Sequence, residues 1–587
     1  MKKSKEELFD KKIKFKANGK VDNTVETNMN LEKGIFCGVG FSLTQSKGAL
    51  IEPIIQSWSG LDSHKLTLGT TRQGKTRQMV ADIEQQIAHG DNALVEEPKG
   101  SIKQEMIGYV VELAIKYKRT SDLLYVSPYF KELSEWFNPV YRYKNEQISS
   151  MVADIIKTKD EFYANIAKAI VLSSTLGLEF LEKFEQHTNP YDVIIMEKIE
   201  YSKAYTRSTN RINKYIWGDL FVEEEHGIEL DVITALKKDK TQEEKKLIDE
   251  AWERTKKRYA NEGIGEVTPL RTFVTLRDLA QFETIDVLAI LHERVCAAYD
   301  VVKENIEYAY LRKLGSEAKN ELYKISSRDS GFFSKVSTTY STVMSDLITG
   351  DVGAVLNDSR INRLSDYLTS SHRGAIVIVQ PFPMIYKKAS EALGKILFYM
   401  INSLAGYVGA SGTALSRRLY VNIDEAGSVL TDIVRELANK GGGLGFSLFL
   451  YTQSIADVEE TLGPVGSRIL LDNMNTKAIF KGNDPASLKI ISEMLGTKKK
   501  AKSMGTSSDM RNTRVSVSTN DEDIASAGVL SQLDARKYIL KHGSEIYLVS
   551  APHVEDSRFN VVMPVGSLSD ISREADNRIK EIEREMA

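Results

Sequence analysis

Residues His64 to Val80 read HKLTLGTTRQGKTRQMV. A short apolar run stops at Gly69, a glycine-bounded loop follows, and Gly74-Lys75-Thr76 leads into a segment whose Met79, Val80, Ile83 and Ile87 share one helical face. Gly69-x-x-x-x-Gly74-Lys75-Thr76 is a full match to the phosphate loop. The spacing has a physical reason. Glycines let consecutive main-chain N–H groups turn inward round a β-phosphate without a Cβ in the way. The helix behind offers its positive end to the same anion. Lys75 is placed to reach the β and γ oxygens, and the Thr76 hydroxyl to ligate Mg²⁺. Thr70, Thr71, Arg72 and Gln73 form the rest of the cradle, with Arg77 behind it. The bland alternative, a chance match in a surface turn, is countered by the strand before it and the helix after it. The expected cofactors are ATP and Mg²⁺.

A phosphate loop needs a second site for metal and water. RRLYVNIDEAG (Arg417 to Gly427) is an apolar strand ending in two carboxylates, at the sheet edge where α/β ligands sit. Asp424 is expected to hold Mg²⁺ through its shell and Glu425 to polarise the attacking water. FLYTQS (Phe449 to Ser454) is a further strand with a polar end, and Gln453 is the expected partner of the γ-phosphate or the water. VEEPKGS (Val95 to Ser101) makes a turn at the same edge, where Glu97 or Lys99 could face the nucleotide or a subunit boundary, a plain turn being the alternative.

NALVEE and DLLYVS supply two more strands after the loop helix. Strand, helix, strand at this spacing indicates a parallel α/β sheet. From about 131 to 365 long charged amphipathic segments replace that rhythm, such as TQEEKKLIDEAWERTKKRYA, and the buried-strand pattern returns at GAIVIVQPF (Gly374 to Phe382). The expected class is α/β, a P-loop NTPase domain with a large mainly helical inserted domain. The boundaries are an N-terminal module at 1–60, the ATPase domain in two segments at 61–130 and 366–566, the helical insertion at 131–365, and a C-terminal helix at 567–587. Lys498 to Lys502 (KKKAK) and the polar stretch to Asp521 read as a surface loop.

Composition narrows the partners. The net charge over 587 residues is −3, so any nucleic acid must meet a local basic surface. KKDK (Lys237 to Lys240), RTKKR (Arg254 to Arg258) and KKKAK are the basic runs, each of which could equally be a solvated face. Two distant cysteines, Cys37 and Cys296, suggest a reducing compartment. Nowhere do 18 apolar residues run together, which points to a cytoplasmic protein.

HKLTLGTTRQGKTR, the Pro-Lys-Gly turn, FNPV (Phe137 to Val140), VNIDEAG, NKGGGLGFSLFLYTQSIADVEETLG and DNMNTKAIFKGND together resemble the conjugative coupling proteins of type IV secretion, the TraD/TraG type, and most nearly the TraD branch of integrative elements. The resemblance implies a RecA-like P-loop NTPase motor domain of the FtsK/HerA kind with an all-helical inserted domain. It implies a ring, usually hexameric, that uses ATP to pass DNA and its attached relaxase, with the relaxosome proteins, to the secretion channel. Carried over by position, Gly69, Gly74, Lys75 and Thr76 match Walker A, Asp424 and Glu425 match Walker B, and Gln453 matches the conserved glutamine. A cation acting in trans is expected from Arg468, Lys481 or Arg435. The family usually begins with transmembrane helices, so a separate membrane docking partner at the inner face of the cell membrane is expected here. Its Asp-Pro-Lys-Gly is Glu97-Pro98-Lys99-Gly100 in this chain. Two other functions compete: an ATPase powering protein export or pilus assembly, and a low-turnover adaptor that recruits substrates.

Overall fold

A computed structural model describes residues 22–44, 51–58, 64–98, 105–141, 143–156, 161–196, 198, 229–260, 274–304, 308–356, 362–372, 374–502, 506–509, 512–515, 518–555 and 557. The expected terminal helix at 567–587 and the Lys99–Gly100 half of the Pro-Lys-Gly turn lie outside the described residues.

The centre is an 11-stranded sheet. Its strands in chain order are β1 (Gly34–Ser42), β2 (Glu52–Ser57), β3 (Lys65–Leu68), β4 (Asn92–Glu96), β5 (Leu123–Val126), β6 (Ile376–Val379), β7 (Leu419–Ile423), β8 (Phe446–Thr452) and β9 (Thr476–Ile479). Two short ribbon pairs follow, β10 (Thr497–Lys502) with β13 (Ser518–Asp523) and β11 (Thr506–Asp509) with β12 (Asn512–Val515). β14 (Lys537–His542) and β15 (Glu545–Ser550) complete the sheet, whose order is β2-β1-β15-β14-β9-β3-β8-β7-β4-β6-β5. From β9 to β5 every pairing is parallel. These strands are near-continuous apolar runs because both sheet faces are covered.

One face is covered by α1 (Lys75–His89) and α2 (Glu105–Lys116). α1 is buried on more than its apolar stripe. Gln85 exchanges two hydrogen bonds with the main chain of Phe36 on β1, at 2.7 and 3.1 Å. Gln86 and Asn422 of β7 pair amide to amide at 2.8 and 3.2 Å. Asp82 accepts from Lys65 of β3 at 2.6 Å, from Tyr451 of β8 at 2.8 Å and from Gln78 at 3.1 Å. β1 and β7 stand far apart in the strand order, so the twisted sheet wraps the helix. The Lys65–Asp82 ion pair is fully buried. It is tolerable there because both charges are met by hydrogen-bonding partners.

The chain between β5 and β6 is helical wherever it forms regular structure among the described residues. α3 (Asn145–Ile156), α4 (Glu161–Thr188), α5 (Gln242–Ala260), α6 (Ile285–Val302), α7 (Ala309–Ser326) and α8 (Ser330–Ile348) are its longer members. α4 is the axis of the group, packed by α3, α6, α7 and α8. Its stretch Phe162–Thr188 is the one described segment long and apolar enough to cross a membrane, and 61% of the window that meets this test is buried inside the fold. α9 (Lys388–Ala410) closes the other sheet face with α10 (Asp432–Lys440) and α11 (Ile455–Asn473).

Two expectations need correction. β1 and β2 do not form a module apart: β1 pairs with β15 and extends the central sheet, because its nine residues are all buried and need a partner on each side. The KKKAK stretch is not a loop. It forms β10, with Lys498 opposite Glu522 and Lys499 opposite Asp521, so cross-strand charge pairing offsets what polar composition suggested. The other basic runs also answer acids of their own chain: Lys237 pairs with Asp249, Lys240 with Glu244 at 3.2 Å and Arg254 with Asp192 at 2.9 Å. At those positions the solvated-face alternative describes what is seen.

Candidate functional site

β3 ends at Leu68, and the loop Gly69–Gly74 passes to α1 with no spare residue. Gly69 has φ +155° and Gly74 φ +113°. A Cβ at Gly69 would stand 2.5 Å from Cβ of Phe480, so only glycine allows the loop to leave the sheet beside β9. Both neighbouring strands stitch the loop down. Gly69 N–H donates to the Thr452 carbonyl at 3.3 Å, and Thr70 N–H to the Lys481 carbonyl at 2.9 Å. By contrast, the N–H groups of Thr71, Arg72, Gln73 and Gly74 have no acceptor among the described residues. Consecutive main-chain donors without acceptors at a helix N-terminus form an anion cradle. Lys75 Nζ curls back over the loop, donating to the carbonyls of Gly69 and Thr70, the latter at 3.2 Å.

Gln453 and Asp424 come to the same sheet edge. Leu68 of β3 lies opposite Thr452 of β8, and Ile423 of β7 opposite Leu450 of β8. The Gln453 strand therefore stands between the loop strand and the carboxylate strand, and a cleft lined by Leu68, Gly69, Gln453, Ser454, Phe480 and Asn483 opens beside the loop. Asp424 N–H donates to the Glu96 carbonyl at 3.0 Å, and Glu425 N–H to Asp424 Oδ1 at 3.0 Å. Glu425 sits at φ +52°, a left-handed conformation costly for a side chain with a Cβ. Such strain persists only where the surroundings over-determine it.

The surroundings here are Asp457 and Gly427, which sequence reasoning passed over. Asp457 Oδ2 accepts from Thr452 Oγ1 at 3.1 Å, from Gln453 N–H at 3.1 Å and from Ser454 N–H at 3.0 Å. It also closes a capping box with Ser454 at the start of α11. A Cβ on Gly427 would lie 3.0 Å from Cβ of Asp457, and Thr461 Oγ1 donates to the Gly427 carbonyl at 2.6 Å. One turn of α11 thus fixes Gln453 and the Asp424–Glu425 turn together. The Ser454-x-x-Asp457 spacing was the available signal.

Two expected residues are placed differently, and Glu97, whose role the sequence leaves open, is placed as well. Arg77 points away from the loop: Nη1 donates to Tyr109 Oη and to the carbonyls of Val554 at 3.2 Å and Glu555 at 3.4 Å. Lys481, expected in trans, lies at the loop of its own chain, because β9 pairs with β3 and ends beside it. Glu97 is buried and accepts from Gln380 Nε2 at 2.9 Å, while Tyr125 donates to Gln380 Oε1 at 2.8 Å. That chain of bonds runs at the far strands β4, β6 and β5, away from the loop. Arg468 is exposed on α11, and Arg435 lies on α10 near Gly466.

Residues 418–535 match the family described as the TraM recognition site of TraD and TraG. That segment is similar to the corresponding part of TraD/TraG-type coupling proteins. No curated protein matches its sequence. Among solved structures it is similar to the bacterial conjugative coupling protein TrwBdeltaN70 in its unbound monoclinic form, at 13% identity and a TM-score of 0.50, over 90% of this chain and 96% of that one. A trigonal form of TrwBdeltaN70 in complex with sulphate gives 12% identity and a TM-score of 0.51, over 90% and 97%. TrwB in complex with ADP and Mg²⁺ gives 13% and 0.50, over 89% and 95%. At such identity the likeness establishes the fold: α/β, a RecA-like P-loop NTPase sheet carrying a helical insertion.

Proposed function

We propose that this chain is an ATP-driven coupling protein that passes single- or double-stranded DNA, with relaxase attached, to a type IV secretion channel. One observation carries the reading: the acceptor-free amides of the loop, Gln453 and the Asp424–Glu425 pair stand at the ends of three adjacent parallel strands. The family match over 418–535 supports the transfer role, and the TrwB structure with ADP and Mg²⁺ supports the ligand.

Phosphoryl transfer asks the protein for position and charge more than for covalent chemistry. The Thr71–Gly74 amides hold the β-phosphate, and Lys75 swings from its carbonyls onto the β and γ oxygens. Thr76 and Asp424 would hold the magnesium, whose chemistry is to neutralise charge across the β and γ oxygens. A hydroxyl and a carboxylate are oxygen ligands of the kind a hard cation would take. Glu425 takes the water's proton, and Gln453 orients water or γ-phosphate.

The cation in trans is Arg468. It is exposed, and it stands in the second half of α11, beyond the break at Gly463 and Pro464. Val465, 70% exposed, and Ile469, 36% exposed, flank it, which fits a face covered in a ring of identical subunits.

The test is ATPase rate against single- and double-stranded DNA, with mass monitored. DNA should stimulate turnover and assembly together, with affinity that falls steeply with salt. Turnover indifferent to DNA favours the protein-export alternative, and turnover near zero with DNA and partners favours the adaptor.

A further inference from the structure

We infer that Arg536 receives the nucleoside end of the nucleotide, its guanidinium stacking on the base. This rests on reading the Gly69–Thr76 loop as a nucleotide site. Strand order supplies the direction. The loop strand β3 stands between β8 and β7, which bring Gln453, Asp424 and Glu425, and β9 and β14 on the opposite flank. A nucleotide with its γ-phosphate toward Gln453 extends its α-phosphate and nucleoside toward β14. β14 runs antiparallel to β9, so its start, and not its end, reaches the edge where the loop lies.

Arg536 is at that start. Its N–H donates to the Gln73 carbonyl at 2.8 Å, and its own carbonyl accepts from Ala551 N–H at 2.8 Å. Its Cα is 3.5 Å and its Cγ 3.7 Å from the point a Cβ on Gly74 would occupy, so the residue forms the outer wall of the loop. These contacts hold Arg536 at φ +66°, a strained conformation for any residue but glycine. The side chain is exposed and has no hydrogen-bond or ion-pair partner among the described residues. Two other arginines stand at the loop: Arg72 within its phosphate-facing turn, and Arg77, already bonded to Tyr109 and to two carbonyls. A planar, weakly hydrated guanidinium stacks well on an aromatic face, which an ammonium cannot reproduce.

The experiment measures binding of ATP and ADP, with inorganic triphosphate as a competitor, to the full chain and to Arg536→Ala, Arg536→Gly and Arg536→Lys. Glycine accepts the left-handed backbone, so Arg536→Gly removes the guanidinium even if alanine disturbs the fold. Alanine and glycine should weaken ATP and ADP alike by roughly tenfold, the scale of a partly desolvated cation–π contact, and leave triphosphate unchanged. Lysine should recover little. Equal loss for triphosphate, full recovery with lysine, or unchanged ATP affinity each overturns the inference. Failure of the loop reading looks different: the unsubstituted chain does not bind ATP, or Lys75→Ala binds it as well, and the inference falls with it.

Discussion

Lys75 and Glu425 respond to substitution in opposite ways. Removing the ammonium in Lys75→Ala leaves the phosphate oxygens facing amides alone, and ATP binding should be lost. Glu425→Gln keeps the shape of the left-handed turn and removes only the base. ATP should stay bound while turnover falls about 10²–10⁴-fold, the scale of a positioned base. Filter retention of labelled ATP beside an ATPase assay separates the two, and normal turnover in Glu425→Gln would place the base elsewhere. Both residues were legible in the sequence, because the loop spacing and the carboxylates at a strand end are local patterns. His64, first of the deciding stretch, was not. Its Nδ1 accepts from Leu448 N–H at 2.9 Å, so Nε2 carries the proton and donates to the Ala438 carbonyl at 2.8 Å. A second proton would meet the Leu448 N–H. Burial, partly opposed by the bond to Ala438, holds the ring's pKa down at about 4 from an ordinary 6.5. The unfolded chain therefore binds the proton first as pH falls. The stability from this group is complete above about pH 6.5 and lost as pH falls toward 4, amounting to about 3 kcal/mol. His64→Gln should be less stable than the parent at pH 7, with the gap closing by pH 4.5 in urea titrations. A gap independent of pH would show that the ring titrates normally.

At the scale of elements, α11 does more than cover the sheet. Its first turn holds Gln453 through Asp457, and the same residue abuts Gly427 behind Glu425. Asp457→Ala frees both. The expected result is a kcat about tenfold lower with KM little changed, because the ground-state grip of the loop is untouched. Loss of the cap costs about 1 kcal/mol of stability. Asp457→Asn keeps the shape and one acceptor and should recover most of kcat. If kcat and stability fell in proportion in both variants, the role would be that of a cap alone. The reading from sequence stopped short at this scale for a definite reason. α1 was recognised by Met79, Val80, Ile83 and Ile87, but Gln78, Asp82, Gln85 and Gln86 are buried as deeply. Gln78 bonds Asp82, and Asp82, Gln85 and Gln86 find partners on β1, β3, β7 and β8, from 17 to 369 residues away, which periodicity does not see. For the same reason local pattern sets β1 apart from the sheet it joins, and presents the lysines of β10 as a loop without the acidic strand opposite.

For the whole molecule, the question is which parts of the site one chain lacks. Loop, carboxylates and glutamine converge within a single sheet, so the proposed nucleotide site is assembled from one chain. Arg468 does not converge with them. It projects from the second half of α11, beyond the break at Gly463 and Pro464, between two exposed apolar residues. A head-to-tail contact that covers Val465 and Ile469 would carry Arg468 to the next subunit's γ-phosphate, and such contacts close into rings. Val465→Asp with Ile469→Asp should then give a monomer that binds ATP and does not hydrolyse it, whatever DNA is added. Arg468→Ala should still assemble but turn over about 10³-fold more slowly, the lower end for an arginine acting in trans. Mixing decides between a trans role and a structural one. A subunit with Arg468→Ala keeps its own loop, and one with Lys75→Ala keeps its arginine. Each is inactive alone, but wherever the second presents Arg468 to the loop of the first, one site is complete. Turnover should return on mixing and be greatest near equal proportions. If the mixture stays as inactive as its parts, Arg468 serves its own chain or none.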